Sequence, residues 1–450
     1  MGQLDPALAQ WALDEARRRG ASAAEVQLVS AESIAAGVRL GEVEKLKSSR
    51  ERRLGMRVFV DQASATASTA EMERDSLEGF IQNTVAMARL TAPDPFSGLP
   101  EPKRQARDLP DLELTDSERG IVGADEALGL AREAEKAALG ADPRIRNSEG
   151  GEFHSGLYSV LFANSNGFAG EYSATSFNLA AAPIAQSDDG RMQLGYWYTA
   201  GRHFRMLEDP EAVGKTAAGR ALRRLGARKI KTTRAPVVFD PDMASSLLRA
   251  LAGAASGPSL YKGASFLAGK LGEQIMAVNV TIHDDGRMRA GLGSKPFDGE
   301  GLPTNRKGVV EKGILLTYLL DCYSARKLKL EPTGNASRGV GEIPGVSPTN
   351  FYLEPGQYTP EQIIRSVKRG LYLTELIGFG VNGVTGDYSR GGGGLWIEDG
   401  EPVCPVQEIT IAGNLKDMFM SIEMIGNDLK WRSATASPTI KIAEMMIAGE

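Results

Sequence analysis

Residues 25–60 read EVQLVSAESIAAGVRLGEVEKLKSSRERRLGMRVFV, and this stretch sets the fold class. Glu25–Val29, Ile34–Leu40 and Leu54–Val60 are short segments in which apolar and polar side chains partly alternate. A period of two sends one set of side chains to a buried face and the other to water, the pattern of half-buried antiparallel strands. Helical signals flank these segments. Upstream, Leu4, Leu8, Trp11 and Leu13 fall mostly on one helical face, with Arg17, Arg18 and Arg19 near a C-terminal end closed by Gly20. Downstream, Leu77, Phe80, Ile81, Val85 and Ala88 form a stripe at helical spacing, which predicts a helix laid across one face of the sheet.

Residues 91–118 hold five prolines and little periodicity, and predict a long surface connection. A helix is expected over Ala124–Leu139, strands in Leu157–Asn164, Gly170–Ala180 and Gln193–Thr199, and another helix over Glu211–Leu225. The basic run Arg220–Arg234 admits a phosphate-binding patch, but a solvated helix end and linker is the expectation. Beyond it the chain turns glycine-rich and strand-like, with helices expected at Pro241–Ala254, Ser324–Lys329, Pro360–Arg369 and Leu415–Ile425. Helices and strands are interspersed without regular βαβ alternation, so the fold class is α+β. An N-terminal antiparallel sheet covered by helices is expected over 1–230. A mainly antiparallel, glycine-rich β domain with a few helices is expected over 231–450.

Composition removes several function classes. Lys plus Arg number 52 and Asp plus Glu 57, a net charge of −5 that argues against direct nucleic-acid binding through overall charge. Cys322 and Cys404 are the only cysteines and stand far apart, which fits a reducing compartment and excludes a disulfide scaffold. No apolar run reaches the roughly 18 residues that span a bilayer. Asp5, Asp14 and Glu15 occupy positions where a signal peptide needs an uncharged core. A soluble cytoplasmic protein with no membrane partner is expected.

The standard catalytic constellations are missing as well. His154, His203 and His283 are the only histidines, and no two lie within one helical turn. His283 and Asp285 share a strand face only if IHDDG is extended, and Asp-Asp-Gly reads instead as a hairpin turn. Gly378, Gly380 and Gly383 match GxGxxG, but the following VTGDYSRGGGG does not open the helix that would hold a pyrophosphate. There is no GxSxG elbow, and the two SxxK matches, at Ser259–Lys262 and Ser324–Lys327, lack their companion elements.

The densest unusual segment is Gly378–Asn414, GFGVNGVTGDYSRGGGGLWIEDGEPVCPVQEITIAGN. Trp396–Glu398 and Val403 onward read as two strands joined by an Asp399-Gly400 turn. The glycines before them serve either a tight hairpin crossing or a backbone cradle for an extended peptide bound by strand addition. Asn382, Thr385, Asp387, Tyr388, Ser389 and Arg390 are the candidate peptide or partner contacts. Among them Arg390 stands out, because its planar fork matches a carboxylate.

The segments VNGVTGDYSRG, LWIEDGEPVCPVQEITIAGNLKDMF and IGNDL closely resemble the C-terminal signature of the TldD/PmbA family, also labelled modulators of DNA gyrase. SLYKGASFLAGKLGEQI (259–275), KPFDGEGLPT (295–304) and YSARKLKLEPTGNASRG (323–339) extend the resemblance. It runs along the whole chain and is most specific from about residue 256 onward. The family implies a two-component cytoplasmic metallopeptidase acting on unfolded peptides, in which the TldD-type component carries zinc on an HExxxH helix and a late cysteine. Here the helix before SLYKGASF reads Leu247-Leu248-Arg249-Ala250-Leu251-Ala252-Gly253, with neither histidine nor glutamate. After Asn427-Asp428-Leu429 the chain continues Lys430-Trp431-Arg432-Ser433-Ala434, without the cysteine, and Cys404 comes too early.

The resemblance therefore implies the other, PmbA/TldE-type component, with no catalytic or metal-ligating residue and no cofactor of its own. Zinc is expected in an HExxxH-bearing TldD-like partner, in a heterodimer or larger assembly, with a homodimer possible for the chain alone. The alternative is a stand-alone peptide-binding or regulatory protein without catalysis.

Overall fold

The computed structural model describes residues 4–450. Strands β1 (Ala23–Arg39) and β2 (Glu42–Val60) form one long antiparallel hairpin, paired from Ala23 opposite Phe59 to Arg39 opposite Glu42 with a one-residue register shift between Gly37 and Val38. The expected segments Glu25–Val29 and Ile34–Leu40 are thus one strand, and β2 begins well before Leu54. The alternation is lost over Glu42–Arg53 because both faces of that stretch are largely exposed, so no buried face selects apolar residues. Leu40 and Gly41 turn the hairpin with φ of 52° and 84°, the left-handed pair of a tight two-residue turn.

β3 (Ala63–Thr69), β4 (Ile145–Asn164), β5 (Ala169–Gln186) and β6 (Met192–Leu194) complete an antiparallel sheet of order β3-β2-β1-β4-β5-β6. β7 (Trp197–Gly201) also pairs with β5. Helices α1 (Pro6–Arg18) and α2 (Arg74–Leu90) pack Leu13, Ile81 and Val85 against Val26, Leu28 and Met56. Helices α3 (Ala124–Leu139) and α4 (Pro210–Leu222) pack Ala131, Val213 and Ala217 against Ala36, Val38 and Phe177. The β1 residues in these two clusters are all even-numbered, so both helix pairs cover the same face. The buried Glu135 of α3 accepts the N–H groups of Leu40 (2.8 Å) and Gly41 (2.9 Å), fixing the hairpin tip. The expected surface connection 91–118 is partly internal, since Leu112 and Leu114 are buried with Ala174 of β5.

The second half opens with β8 (Thr233–Phe239), α5 (Pro241–Ala254) and the short α6 (Gly257–Tyr261). β9 (Ile282–Asp285), β10 (Arg306–Glu311) and β11 (Ile314–Leu315) follow, then α7 (Cys322–Leu328). The pair β12 (Ala336–Ser337) and β13 (Gly345–Val346) precedes β14 (Asn350–Leu353) and α8 (Pro360–Arg365). β15 (Arg369–Ile377), β16 (Asp387–Glu398) and β17 (Glu401–Asn414) lead into α9 (Leu415–Met420). β18 (Ile422–Ile425), β19 (Thr435–Ala436) and β20 (Ile440–Ala448) end the fold. The main sheet has the order β17-β16-β15-β8-β20-β18, and β17 also pairs with β20, so five of its strands close on themselves. A second sheet has the order β11-β10-β9-β14-β19.

Three expectations change here. IHDDG is not a hairpin turn: Ile282–Asp285 is β9, paired with β10 and β14. Its Asp284 is fully buried and accepts from Thr349 N (2.6 Å), Thr349 Oγ1 (2.8 Å), Asn335 Nδ2 (2.7 Å) and Lys307 Nζ (2.9 Å). Four donors from three segments hold the carboxylate inside, which overrides the turn preference of Asp-Asp-Gly. The helix expected over Pro360–Arg369 stops at Arg365, because the core recruits residues from 369 onward as β15. The helix expected over Leu415–Ile425 ends at Met420, and Ile422–Ile425 pairs with β20.

The two halves meet over KPFDGEGLPT. Phe297 packs among Phe162, Phe168 and Tyr172, with ring centroids 6.5, 5.1 and 5.3 Å away. Arg338 pairs with the buried Glu25, and Arg326 donates to the carbonyls of Phe96, Gly98 and Leu99. Behind them Glu300 is buried and accepts the Cys322 N–H at 2.8 Å. Burial, with the negative charges of Asp298 and Asp321 nearby, pushes its carboxyl up to about 8. The folded chain therefore holds a proton that the unfolded chain releases at ordinary carboxylate pH. That stability is fully present below the unfolded value and is lost as pH rises through about 8. Thermal unfolding followed between pH 5 and pH 9 is expected to show a loss of a few kcal/mol that Glu300→Gln largely removes; equal slopes for the two proteins would refute it.

Candidate functional site

Helix α5 starts at Pro241 because β8 ends there and Asp240 caps it, its carboxylate accepting Asp242 N–H at 3.0 Å. The inward face of α5, with Ala244, Leu247, Leu248 and Leu251, is buried in the main core. Its outer face carries Asp242, Ser245 and Arg249 into a cavity of about 350 Å³ between the two halves of the chain. Six cationic side chains line that cavity, Arg220, Arg223, Arg224, Arg249, Lys430 and Arg432, against two carboxylates, Asp242 and Glu375.

The pairing inside the cavity is uneven. Arg220 reaches Asp240 at 2.9 Å, Arg224 reaches Glu375 at 2.6 Å, and Arg432 reaches Asp242 at 2.7 Å. Arg432 is only 9 % exposed, lies over the Trp197 ring at 4.1 Å, and leaves a buried Nε with no partner. Arg223 also has a buried, unpartnered Nε, and burial together with the Arg220 charge pushes its pKa down. Arg249 donates to Ser245 Oγ at 3.0 Å and has no carboxylate partner among the described residues. Desolvation and the charge of Arg390 lower its pKa too. Tyr196 and Tyr198, with centroids 5.7 Å apart, form an aromatic side of the same cavity.

The basic run was thus only partly a solvated helix end. Arg220, Arg223 and Arg224 are half-buried cavity walls, whereas Arg228, Lys229, Lys231 and Arg234 are exposed. Sequence reasoning missed the cavity because its cations come from the end of α4 and the residues just after it, from α5 and from the 430–432 segment. The one available signal was the Arg220–Arg224 cluster.

The candidate contacts at 382–390 occupy a turn and the start of a strand. The loop covers only 382–386, because Asp387, Tyr388, Ser389 and Arg390 belong to β16. Asn382 Oδ1 accepts the N–H groups of Val384 (2.9 Å) and Thr385 (3.2 Å), and Thr385 Oγ1 donates to Asp387 at 2.6 Å. Asn414 Nδ2 donates to Asp387 at 3.0 Å, and these bonds hold the Asp387 carboxyl below its ordinary range. A Cβ on Gly380 would fall on the Ser389 carbonyl oxygen, so this glycine serves close backbone approach and no phosphate loop. Ser389 is exposed, while Tyr388 is buried with its hydroxyl unpartnered, and burial raises its pKa to about 12. Arg390 is half-buried, has an unpartnered buried Nε, and lies close enough to Arg249 on α5 to lower its pKa.

Nothing in this region fits a metal ion. Among the described residues no group of three or more His, Cys, Asp or Glu side chains is placed to hold one. His154 is on β4, where burial lowers its pKa; His203 Nε2 meets the Glu113 carbonyl at 2.7 Å; His283 is on β9, beside Tyr352. Cys322 is buried and Cys404 lies half-exposed on β17, 3.3 Å from an Arg228 nitrogen. Among the described residues no helix is long and apolar enough to cross a membrane.

Family models described as the PmbA/TldA metallopeptidase domain 1, central domain and C-terminal domain match residues 24–88, 120–225 and 232–449. The chain belongs to the PmbA/TldD metallopeptidase family. It is 40 % identical to Metalloprotease PmbA of Escherichia coli O157:H7, over 95 % of this chain and 92 % of that protein. It is 36 % identical to a Metalloprotease PmbA homolog of Haemophilus influenzae, over 98 % and 95 %. A Bacteroides thetaiotaomicron structure given a DNA-gyrase-modulator label superposes with a TM-score of 0.92 at 30 % identity, covering 99 % of this chain and 98 % of that one. TldE from Thermococcus kodakarensis shares the fold, with a TM-score of 0.89 at 22 % identity over 98 % and 100 %. In PmbA/TldD terms, the α+β fold read from the sequence is the family fold.

The bonding around 382–390 separates its residues experimentally. Asp387→Ala removes an acceptor from two side chains and is expected to lower the unfolding midpoint. Arg390→Ala and Arg390→Lys remove a group with an unpartnered nitrogen and are expected to stay within about 0.5 kcal/mol of the parent. Denaturant unfolding of the three variants reads this directly. A loss for Arg390→Ala equal to that of Asp387→Ala would make Arg390 part of the crossing.

Proposed function

We propose that the chain is the metal-free subunit of a heteromeric PmbA/TldD-type peptidase that cleaves unfolded peptides in the cytoplasm. Its part is to enclose the substrate and contact the partner. The observation that carries this reading is α5. The helix that precedes SLYKGASF turns leucines and alanines to the core and Asp242, Ser245 and Arg249 to the cavity, with no histidine or glutamate anywhere along it. Water needs a metal or a general base to attack an amide at neutral pH, and this wall of the cavity offers Arg249 instead. An HExxxH-bearing TldD-like partner would supply the zinc, while this chain holds peptide. The gyrase-modulator label of the Bacteroides relative supports a second reading, a stand-alone peptide-binding or regulatory protein.

Two measurements test the proposal. Elemental analysis of the purified, dialysed chain is expected to find less than stoichiometric zinc; one tightly held zinc per chain would overturn it. Cleavage of an unfolded reporter peptide is expected to be absent for the chain alone and to appear on mixing with an HExxxH-bearing family member from the same organism. Chelator-sensitive cleavage by the chain alone, as fast as in the mixture, would refute the subunit role. A stable homo-oligomer that never joins such a partner would favour the second reading.

A further inference from the structure

The cavity beside α5 has more positive charge than its own carboxylates neutralise. Arg432 and Arg223 each present a buried Nε with no acceptor, and Arg249 adds a guanidinium with no acid partner among the described residues. Like charges confined in this way repel one another, and an entering anion relieves that repulsion while accepting their unused N–H groups. Guanidinium forks favour planar oxyanions, which they bind in bidentate fashion.

The strand beside α5 indicates what carries the anion. β15 pairs with β16 along its length, but its pairing with β8 ends at Leu373 opposite Phe239. Beyond that point β8 has given way to α5, and among the described residues no strand takes its place beside Thr374–Ile377. Thr374, Glu375 and Leu376 line the cavity itself. An unpaired strand edge offers N–H and C=O groups to an extended chain, and this edge runs alongside the arginines.

We propose that this cavity is a carboxylate-binding site for an extended peptide, whose backbone pairs with Thr374–Ile377 and whose carboxylate is held by Arg223, Arg249 and Arg432. The carboxylate is either the peptide's C-terminal group or an acidic side chain. This inference rests on the peptide-holding role proposed above and adds a preference to it. Tyr196 and Tyr198 offer apolar area to the residue next to the carboxylate.

Calorimetric titration of the full chain at low ionic strength tests it with four probes: an N-acetylated hexapeptide of uncharged side chains with a free C-terminus, its C-terminal amide, the same amide with one internal glutamate, and inorganic phosphate. At least one of the two carboxylate-bearing peptides is expected to bind about tenfold tighter than the neutral amide, and the one that does identifies the source of the carboxylate. Arg249→Gln, at an exposed position, is expected to weaken that binding several-fold without lowering the melting temperature, and Arg223→Gln to weaken it further. Equal binding of all three peptides, no binding of any, or tighter binding of phosphate than of either carboxylate-bearing peptide would overturn the inference. So would affinity unchanged in Arg249→Gln. Because binding is read on the chain alone, failure here is distinct from failure of the mixed sample to cleave peptide.

Discussion

A carboxylate buried without water must collect donors from whatever surrounds it, and the C-terminal half is organised around two that do so. Asp284 gathers Lys307, Asn335 and Thr349, three segments remote from it in sequence. Asp298 accepts the backbone N–H groups of Glu300 and Leu302 at 2.9 Å and of Ala336 at 3.0 Å. Between them these oxygens fix the loops that carry Phe297, Glu300 and Arg338 to the N-terminal sheet. Losing either acid would leave buried N–H groups unanswered and free the segment on which the junction of the halves depends.

That junction is also what makes the cavity. Its floor is α5 and the end of β15, its side walls are α4 and the strand pair at 192–201, and its rim is the 430–437 segment. No single element concentrates the charge. Arg220 and Arg224 are half-buried in ion pairs and act as scaffold, whereas Arg432 pairs with Asp242 through one nitrogen and keeps its Nε unpartnered. Arg223 and Arg249 have no such partner, and desolvation together with neighbouring guanidinium charge lowers both pKa values. The cleft between the halves is thus furnished with guanidinium groups from three separate segments.

Much of this could be read from the chain. The helices at Ala124–Leu139 and Pro241–Ala254 have the ends their periodicity predicts. Asp399-Gly400 is the expected two-residue turn, with φ of 47° and 82°. What escaped has physical causes. Glu42–Arg53 is strand by pairing alone, with no buried face to impose alternation. Asp285 ends a strand because the preceding carboxylate finds donors that local propensity does not anticipate. The motifs KPFDGEGLPT and YSARKLKLEPTGNASRG, which extended the family resemblance, prove to be the donors, acceptors and rings of the junction. The cavity escaped because its residues converge only after the halves dock.

The placement of β8 has a bearing on how the molecule is reached from the unfolded state. Its neighbours are β15, in parallel register with Val237 beside Leu371, and β20, with Val237 beside Ile442. Neither partner is nearby in the chain, and the five strands close only when β17 also meets β20. Such pairing pays its loop-closure entropy before any of its hydrogen bonds form, so this sheet belongs to the slow end of folding rates. The N-terminal hairpin of β1 and β2, joined by a two-residue turn, has no such barrier. But β1 must also meet β4, with Val26 beside Ala163, so each half waits on a distant pairing and the arginine-lined cavity is complete only when both have formed.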